Sequence, residues 1–392
     1  MEDVVILSGV RTAIGTFGGA LRQVSAAQLG TTVIAEAITR AGIDAAQMGH
    51  VVMGQVIPTR PQDAYLARVA ALKAGIPHDV PALTVNRLCG SGLQAVISAA
   101  QLIAMGDADF AVAGGAESMS QAPHLVIDAR FGRKMGPITM HDALNETLSD
   151  PIGGYHMGIT AENVAERNGI DRESQDRAAV ESHRRAAAAI TKRRFAEQIV
   201  PVEIISGRKI SVFETDEHVR SDATLEQMSA LRPVFRKDGT VTAGNASGIN
   251  DGAAALVLSS EGAAAASGLL PRARIAGWGF AGVDPALMGL GPVKAVPLAL
   301  ARAGIALDQV DVIESNEAFA AQACAVAVEL GFDPARTNVN GSGIALGHPV
   351  GATGAILLVK ALHELERTAG RYALVTMCIG GGQGIAVVIE RV

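Results

Sequence analysis

Three cysteines and one histidine stand out in this 392-residue sequence because of what surrounds them. Cys89 follows the apolar run Ala82–Val85 and precedes Gly90, Ser91 and Gly92, after which a helical stretch begins. A thiol at a helix N-terminus feels the positive end of the macrodipole and unpaired N–H groups, and both favour the thiolate. The glycines let a substrate approach the backbone closely. The competing reading is a small buried hydrophobe, the commonest fate of a free cysteine; the glycine-flanked strand-to-helix position favours a nucleophile. His348 lies in the glycine-rich run from Asn340 to Gly354, which implies an irregular backbone where other groups come close, or else a histidine capping the next helix. Cys378 ends the apolar run Ala373–Met377 and enters Gly380–Gly382, a stretch able to aim N–H groups at a developing anion. Cys324, inside Ala320–Leu330 among alanines and valines, reads as core packing. Asn316 reads on spacing alone as a helix N-cap, a part Ser315 could equally take.

Holding such residues together requires a scaffold, and the flanks of the chain alternate between strand and helix patterns. Val4–Ser8, Val51–Val56, Ala82–Val85 and Phe110–Ala113 read as buried parallel strands. Ala26–Ala41, Ala64–Ala74 and Gly92–Met105 read as the helices between them. After Leu270 the pattern returns: strands Arg274–Trp278, Val310–Glu314, Asn338–Val339 and Ala373–Met377, with helices Val293–Ala303, Glu317–Leu330 and Gly351–Leu365. This predicts α/β architecture built from βαβ units. The segments beginning at Cys89 and at Gly347 share one order of parts: glycine turn, Ala-rich helix, short link, strand, paired glycines. An internal duplication follows, with Cys89 and His348 at equivalent turns and the site at the junction of the halves. Between Met119 and Ile249 lie 17 Lys/Arg and 18 Asp/Glu in 131 positions, against 37 charged residues in the other 261. That density marks a solvated insertion, with helices predicted at Ile159–Arg167 (Thr160 as N-cap) and Asp171–Phe195. The expected organisation is 1–118 as the N-terminal half, completed by about 250–270, then 119–249 as the insertion and 271–392 as the C-terminal half.

Composition removes several alternatives. With 49% hydrophobic and 18% charged residues the chain can bury sizeable cores and is not of the disordered class. A net charge of −6 and 3% aromatics argue against nucleic-acid partners. The cysteines have neither metal-finger nor CxxC spacing, and no GxxxxGK[ST] occurs. No metal is expected, and a reducing compartment is. The apolar run Val4–Gly9 is too short for a signal core, and no long uninterrupted apolar stretch follows, so the expectation is a cytoplasmic protein without membrane contact.

Taken together, the motifs resemble the thiolase family from Val4 to the C-terminus. The matching segments are Asn86-Arg-Leu-Cys-Gly-Ser-Gly92, Gly115-Ala-Glu-Ser-Met119, Asn245-Ala-Ser-Gly-Ile-Asn-Asp-Gly252, Asn316-Glu-Ala-Phe319, Gly347-His-Pro349 and Cys378-Ile-Gly-Gly-Gly382. The resemblance implies two duplicated halves in a five-layered α-β-α-β-α arrangement, with the charged insertion as the loop domain that holds coenzyme A. It implies acyl transfer between CoA thioesters, two acetyl-CoA giving acetoacetyl-CoA plus CoA and the reverse thiolysis, with CoA thioesters as substrates and no cofactor. It also implies a homotetramer of tight dimers. By resemblance Cys89 is the acylated nucleophile, His348 accepts its proton, and Cys378 handles the α-carbon proton. His348 with a water on Asn316, and the N–H groups of Cys89 and Gly380, form two oxyanion sites. Ser247, Arg220 and His156 match positions lining the CoA tunnel, although Arg220 among acidic residues could be a solvated surface arginine. Met157, Leu148, Met288 and Phe319 fall at the acyl pocket. Tyr155-His-Met-Gly158 resembles short-chain, biosynthetic-type thiolases, whereas Asn340–Ala345, Thr353–Ile356 and Arg371–Cys378 resemble broader β-ketothiolases that accept a five-carbon product. A cysteine hydrolase using Cys89, His348 and Asn316 is the alternative of a different class; Cys378 beside a glycine run speaks against it.

Overall fold

The computed structural model describes residues 3–392. The N-terminal half runs β1 (Val4–Thr12), α1 (Ala26–Ala41), β2 (His50–Gly54), α2 (Leu66–Lys73), β3 (Ala82–Val85), α3 (Ser91–Met105) and β4 (Phe110–Ser118). The insertion carries α4 (Met157–Asn168) and α5 (Arg172–Thr191). Strand β5 (Asn250–Ser260) returns the chain to the first half. The second half runs β6 (Ala273–Gly282), α6 (Gly291–Ala303), β7 (Val312–Ser315), α7 (Ala320–Leu330), α8 (Thr353–Thr368), β8 (Tyr372–Ile379) and β9 (Gln383–Arg391).

Each half follows one plan. The first sheet is ordered β1-β5-β4-β2-β3 and the second β6-β9-β8-β7. In both, the opening strand lies beside the closing one and the second beside the penultimate. The sheets meet where β1 pairs antiparallel with β6 at Val5–Arg274 and Ile6–Ala273. Helix α1 packs across β1, β5 and β4, whereas α3 and α8 touch each other and reach both sheets, and α6 covers β6, β9 and β8. Five layers result, as the resemblance implies.

Three expectations about strands need correction. The sheets are mixed: β2 is parallel to β3 and β4, and β7 to β8, but β5 and β9 run antiparallel to their neighbours. Strand β3 is a half-exposed edge, with Leu83 44% exposed. Asn338–Val339 is no strand. Asn338 turns into the left-handed region (φ 48°), and its side-chain amide pairs with both backbone groups of Ser315, at 2.9 and 2.8 Å. The side chain thus does what a strand's backbone would, and only a bridge from Ile313 to Thr337 remains of the second half's third strand.

Helix ends differ from expectation for similarly local reasons. Helix α4 begins at Met157 because His156 caps it, its Nδ1 accepting the Gly158 N–H at 3.0 Å; Thr160 lies one turn inside. Asp171 caps α5, which ends at Thr191 because Arg193 takes a positive φ of 55°. Helix α7 begins at Ala320 without a side-chain cap, so neither Ser315 nor Asn316 serves as one. The stretches Leu88–Met105 and Pro285–Ala303 are long and apolar enough to cross a bilayer; their helices pack against the sheets.

Buried polar contacts fasten the insertion and loops to this frame. Arg11 on β1 forms a fully buried bidentate pair with Asp216 (2.7 and 2.9 Å). On α8, Lys360 donates to Glu314 (2.6 Å) and to the Gly341 carbonyl (2.7 Å), holding the loop before His348 against β7. Burial raises the Glu314 carboxyl to a pKa of about 7 despite that partner.

Candidate active site

Cys89 sits in the turn from β3 to α3, one residue before the Gly90 cap. Leu88 adopts a positive φ of 46°, a conformation a bulky residue holds only when its surroundings impose it. The restraint is visible. Asn86 Oδ1 accepts the Leu88 N–H at 2.9 Å, and Ser91 Oγ accepts the Arg87 N–H at 2.8 Å while donating to the Leu88 carbonyl at 2.6 Å. The N–H groups of Cys89 and Gly380 lie near the Cys89 sulfur and favour its charged form. Cys378, fully buried near the end of β8, lines the same cleft from the second half.

His348 is 5% exposed in the loop before α8 and does not cap that helix. Thr353 Oγ1 donates its proton to the Pro349 carbonyl at 2.9 Å and accepts from His348 Nδ1 at 2.7 Å. This network assigns the imidazole proton to Nδ1 and leaves the Nε2 lone pair available. Asn316 Nδ2 faces that nitrogen at 3.4 Å, and Asn316 Oδ1 is buried without a protein partner.

One cleft joins these groups. Cys89, Leu148, His156, Met157, Ser247, Met288, Phe319, His348, Cys378 and Gly380 all line it, together with Val56, Leu88, Thr147, Ala318 and Val350. His156 stacks on Phe235 at 4.7 Å, and Ser247 is fixed by its N–H to the Ala318 carbonyl at 2.9 Å. Asn316 stands behind His348. Arg220 lies away from the wall, exposed on the insertion, its N–H donated to His183 Nδ1 at 3.1 Å. Cys324 lies outside the cleft on α7, where burial raises its thiol to about 11. No group of three or more His, Cys, Asp or Glu able to hold a metal occurs among the described residues.

Desolvation dominates the electrostatics. It lowers the His348 imidazole to a pKa of about 4, so the ring is neutral at physiological pH. It also raises Cys89, against the pull of the two N–H groups on sulfur. Burial thus opposes the N–H groups and helix terminus that favour the thiolate, and the net effect on Cys89 is a raised pKa. Cys378 is raised strongly for the same reason. The arrangement offers a thiol, a neutral imidazole, a second thiol whose pKa burial raises, and the N–H groups of Cys89 and Gly380 near the first sulfur.

The sequence reading gave no role to Glu117, Asn250 or Thr353. Glu117 did carry a signal: it is an acid within the otherwise uncharged, wholly buried β4.

Comparison with known proteins agrees with this geometry. Residues 4–262 match the thiolase N-terminal domain model and residues 269–391 the thiolase C-terminal domain model. The chain is 60% identical to beta-ketothiolase BktB of Cupriavidus necator and 53% identical to an acetyl-CoA acetyltransferase of Escherichia coli, covering 100% of both chains each time. It superimposes on the acetyl-CoA acetyltransferase of Bacillus anthracis with a TM-score of 0.98 at 47% identity, covering 100% of this chain and 99% of that one. A human mitochondrial 3-ketoacyl-CoA thiolase in complex with CoA gives 0.96 at 43% identity, with 100% and 98% covered. Two halves of one plan, with a cysteine from one and a histidine and second cysteine from the other facing a shared cleft, belong to a member of the thiolase family.

Proposed function

We propose that the chain catalyses reversible acyl transfer between CoA thioesters, joining two acetyl-CoA into acetoacetyl-CoA plus CoA and cleaving the product by thiolysis. One observation carries this: two thiols and a neutral imidazole share a largely apolar cleft whose wall Gly380 completes. Cys89 passes its proton to His348 Nε2 and attacks the thioester carbonyl; the C–S bond to CoA breaks, and the leaving thiolate takes a proton from Cys378. The Cys378 thiolate then removes a proton from the methyl of a second acetyl-CoA. Its raised pKa suits that task, because a weakly acidic carbon needs a strong base. The carbanion attacks acyl-Cys89, and the oxyanion develops where the Cys89 and Gly380 N–H groups point; its collapse breaks the C–S bond to Cys89, acetoacetyl-CoA leaves, and the Cys89 thiolate recovers its proton from His348. Asn316, whose Oδ1 lacks a protein partner, can hold a water that forms a second oxyanion site with His348 once Nε2 carries a proton.

Chain-length preference has a specific competitor. The 60% identity to a beta-ketothiolase favours activity on 3-ketovaleryl-CoA and longer substrates beside acetoacetyl-CoA. Met157, Leu148, Met288 and Phe319 form the acyl wall that sets this range. A panel of four- to ten-carbon 3-ketoacyl-CoAs ranks the two readings. Thiol titration during turnover of acetoacetyl-CoA with CoA tests the reaction class: thiolysis consumes one thiol per product pair, whereas a hydrolase liberates one.

We assign the chain to a reducing, cytoplasmic setting, in keeping with three free cysteines. A homotetramer is supported by the open edge of β3 and by Leu125, Ile127, Phe131, Met135, Ile138 and Met140, all at least 48% exposed on one stretch of the insertion.

A further inference from the structure

Glu117 is completely buried at the end of β4, beneath the cleft but not in its wall. Its carboxylate accepts three backbone N–H groups: Val56 at 2.9 Å, Ile57 at 3.2 Å and Gly351 at 2.9 Å. The first two belong to the segment after β2 that contributes Val56 to the cleft. The third comes from the other half of the molecule, three residues after His348. A second side chain of the first half grips the same loop, Asn250 Oδ1 accepting the His348 N–H at 2.9 Å. Here the halves come as close as backbone allows. A Cβ on Gly115 would collide with the Gly351 carbonyl, and one on Gly351 would stand 2.5 Å from the Glu117 carboxylate. Three donors converge on this group, and a protonated carboxyl would turn an O–H against one of them. Burial, with a further push from the Asp63 charge, raises its pKa to about 8 against those donors.

We propose that Glu117 is a positioning residue for the acyl-transfer reaction: its carboxyl oxygens clamp the His348 loop of one half onto the half that carries Cys89, and so set the distance over which the thiol proton moves. It touches neither substrate nor reacting atoms. The inference rests on the roles given above to Cys89 and His348.

Three variants separate this from a merely structural role. Glu117→Ala removes the acceptor from all three donors. Glu117→Gln keeps one oxygen for Val56 and Gly351 but turns an amide N–H₂ toward the Ile57 N–H. Cys89→Ala identifies the alkylated thiol. Expected for Glu117→Ala is a fall in kcat of roughly 10²-fold, the typical result of misplacing a reacting pair by about 1 Å. The KM for CoA should stay within about threefold, since no ground-state contact to substrate is lost. Iodoacetamide alkylation of Cys89 should slow in the substrate-free enzyme, and amide hydrogen exchange should accelerate over 347–352. Glu117→Gln should fall between, with roughly a tenfold loss of kcat. A folded Glu117→Ala enzyme with wild-type kcat, alkylation rate and exchange overturns the proposal. So does one whose thermal midpoint alone declines. If the alanine variant does not fold, Glu117→Gln decides, and wild-type values for all three measurements overturn the clamp. Should wild-type alkylation persist in Cys89→Ala, the nucleophile assignment fails instead.

Discussion

A half-buried thiol, its pKa raised, shares a cleft with a buried neutral imidazole, and this sets what single substitutions should do. Brief exposure to acetyl-CoA should place one acetyl group on the Cys89 peptide by mass spectrometry; an acetyl group on the Cys378 or Cys324 peptide would refute the assignment. Replacing Cys378 by alanine removes proton transfer at the α-carbon but leaves the nucleophile and its histidine. Condensation and thiolysis should then fall by about 10²–10⁴-fold, the usual contribution of an acid–base group. Acetylated Cys89 should still form, while deuterium exchange at the acetyl methyl, followed by NMR, should cease. Exchange at the wild-type rate would leave His348 as the base. Cys324→Ala, outside the cleft, should retain turnover and lose on the order of 1 kcal/mol of stability at most. At this scale much was legible in the sequence, because glycine-flanked Cys89, His348 and Cys378 announce turns at element ends. Asn316 was not, since an asparagine after a strand looks like a cap until the helix is seen to start at Ala320.

Elements explain both the agreement and the misses. Helices α1 and α3 were readable because their apolar faces and end signals coincide; Ser25 and Gln28 form a reciprocal capping box at the start of α1. Strand β5 was missed because Asn-Asp-Gly at its start imitates a turn, and its alanine-rich body, buried on both faces, has no alternation to detect. Helix α8 carries a pH-dependent test. His363 Nε2 lies 3.1 Å from the Gly9 carbonyl, and burial lowers the imidazole to about 4. A depressed histidine gives its full stability contribution above the unfolded value of 6.5 and loses it as the pH falls toward 4, where the unfolded chain binds protons that the folded one refuses. His363→Gln abolishes that titration. Relative to wild type, the variant should therefore gain stability between pH 7 and pH 4.5 in urea unfolding; a constant difference would remove the histidine from the account. On the insertion, Arg220→Ala should raise the apparent KM for CoA more than it lowers kcat if the guanidinium meets the phosphates. An unchanged KM returns Arg220 to the solvated surface on which it stands.

At the scale of the whole molecule, the exposed apolar stretch of the insertion is where the proposed homotetramer can be tested. Phe131, 93% exposed, is its most prominent member. Phe131→Asp should lower the mass measured by light scattering from tetramer toward dimer, with little effect on Cys89 acetylation; a wild-type mass would remove this stretch from the interface. The duplication was legible because both halves repeat one order of parts, yet the reduced third strand of the second half was hidden in a single asparagine amide. Strand β5 has one more consequence, for the nascent chain on the ribosome. It fills the slot between β1 and β4, but is encoded 132 residues after β4 ends at Ser118. Throughout synthesis of the insertion, β1 and β4 stand with unpaired inner edges, each a template for a wrong partner. A fragment ending at residue 249 should aggregate where one ending at residue 262 does not. The first half of this protein is thus finished late, and a ribosome stalled within the insertion would strand it with two open edges.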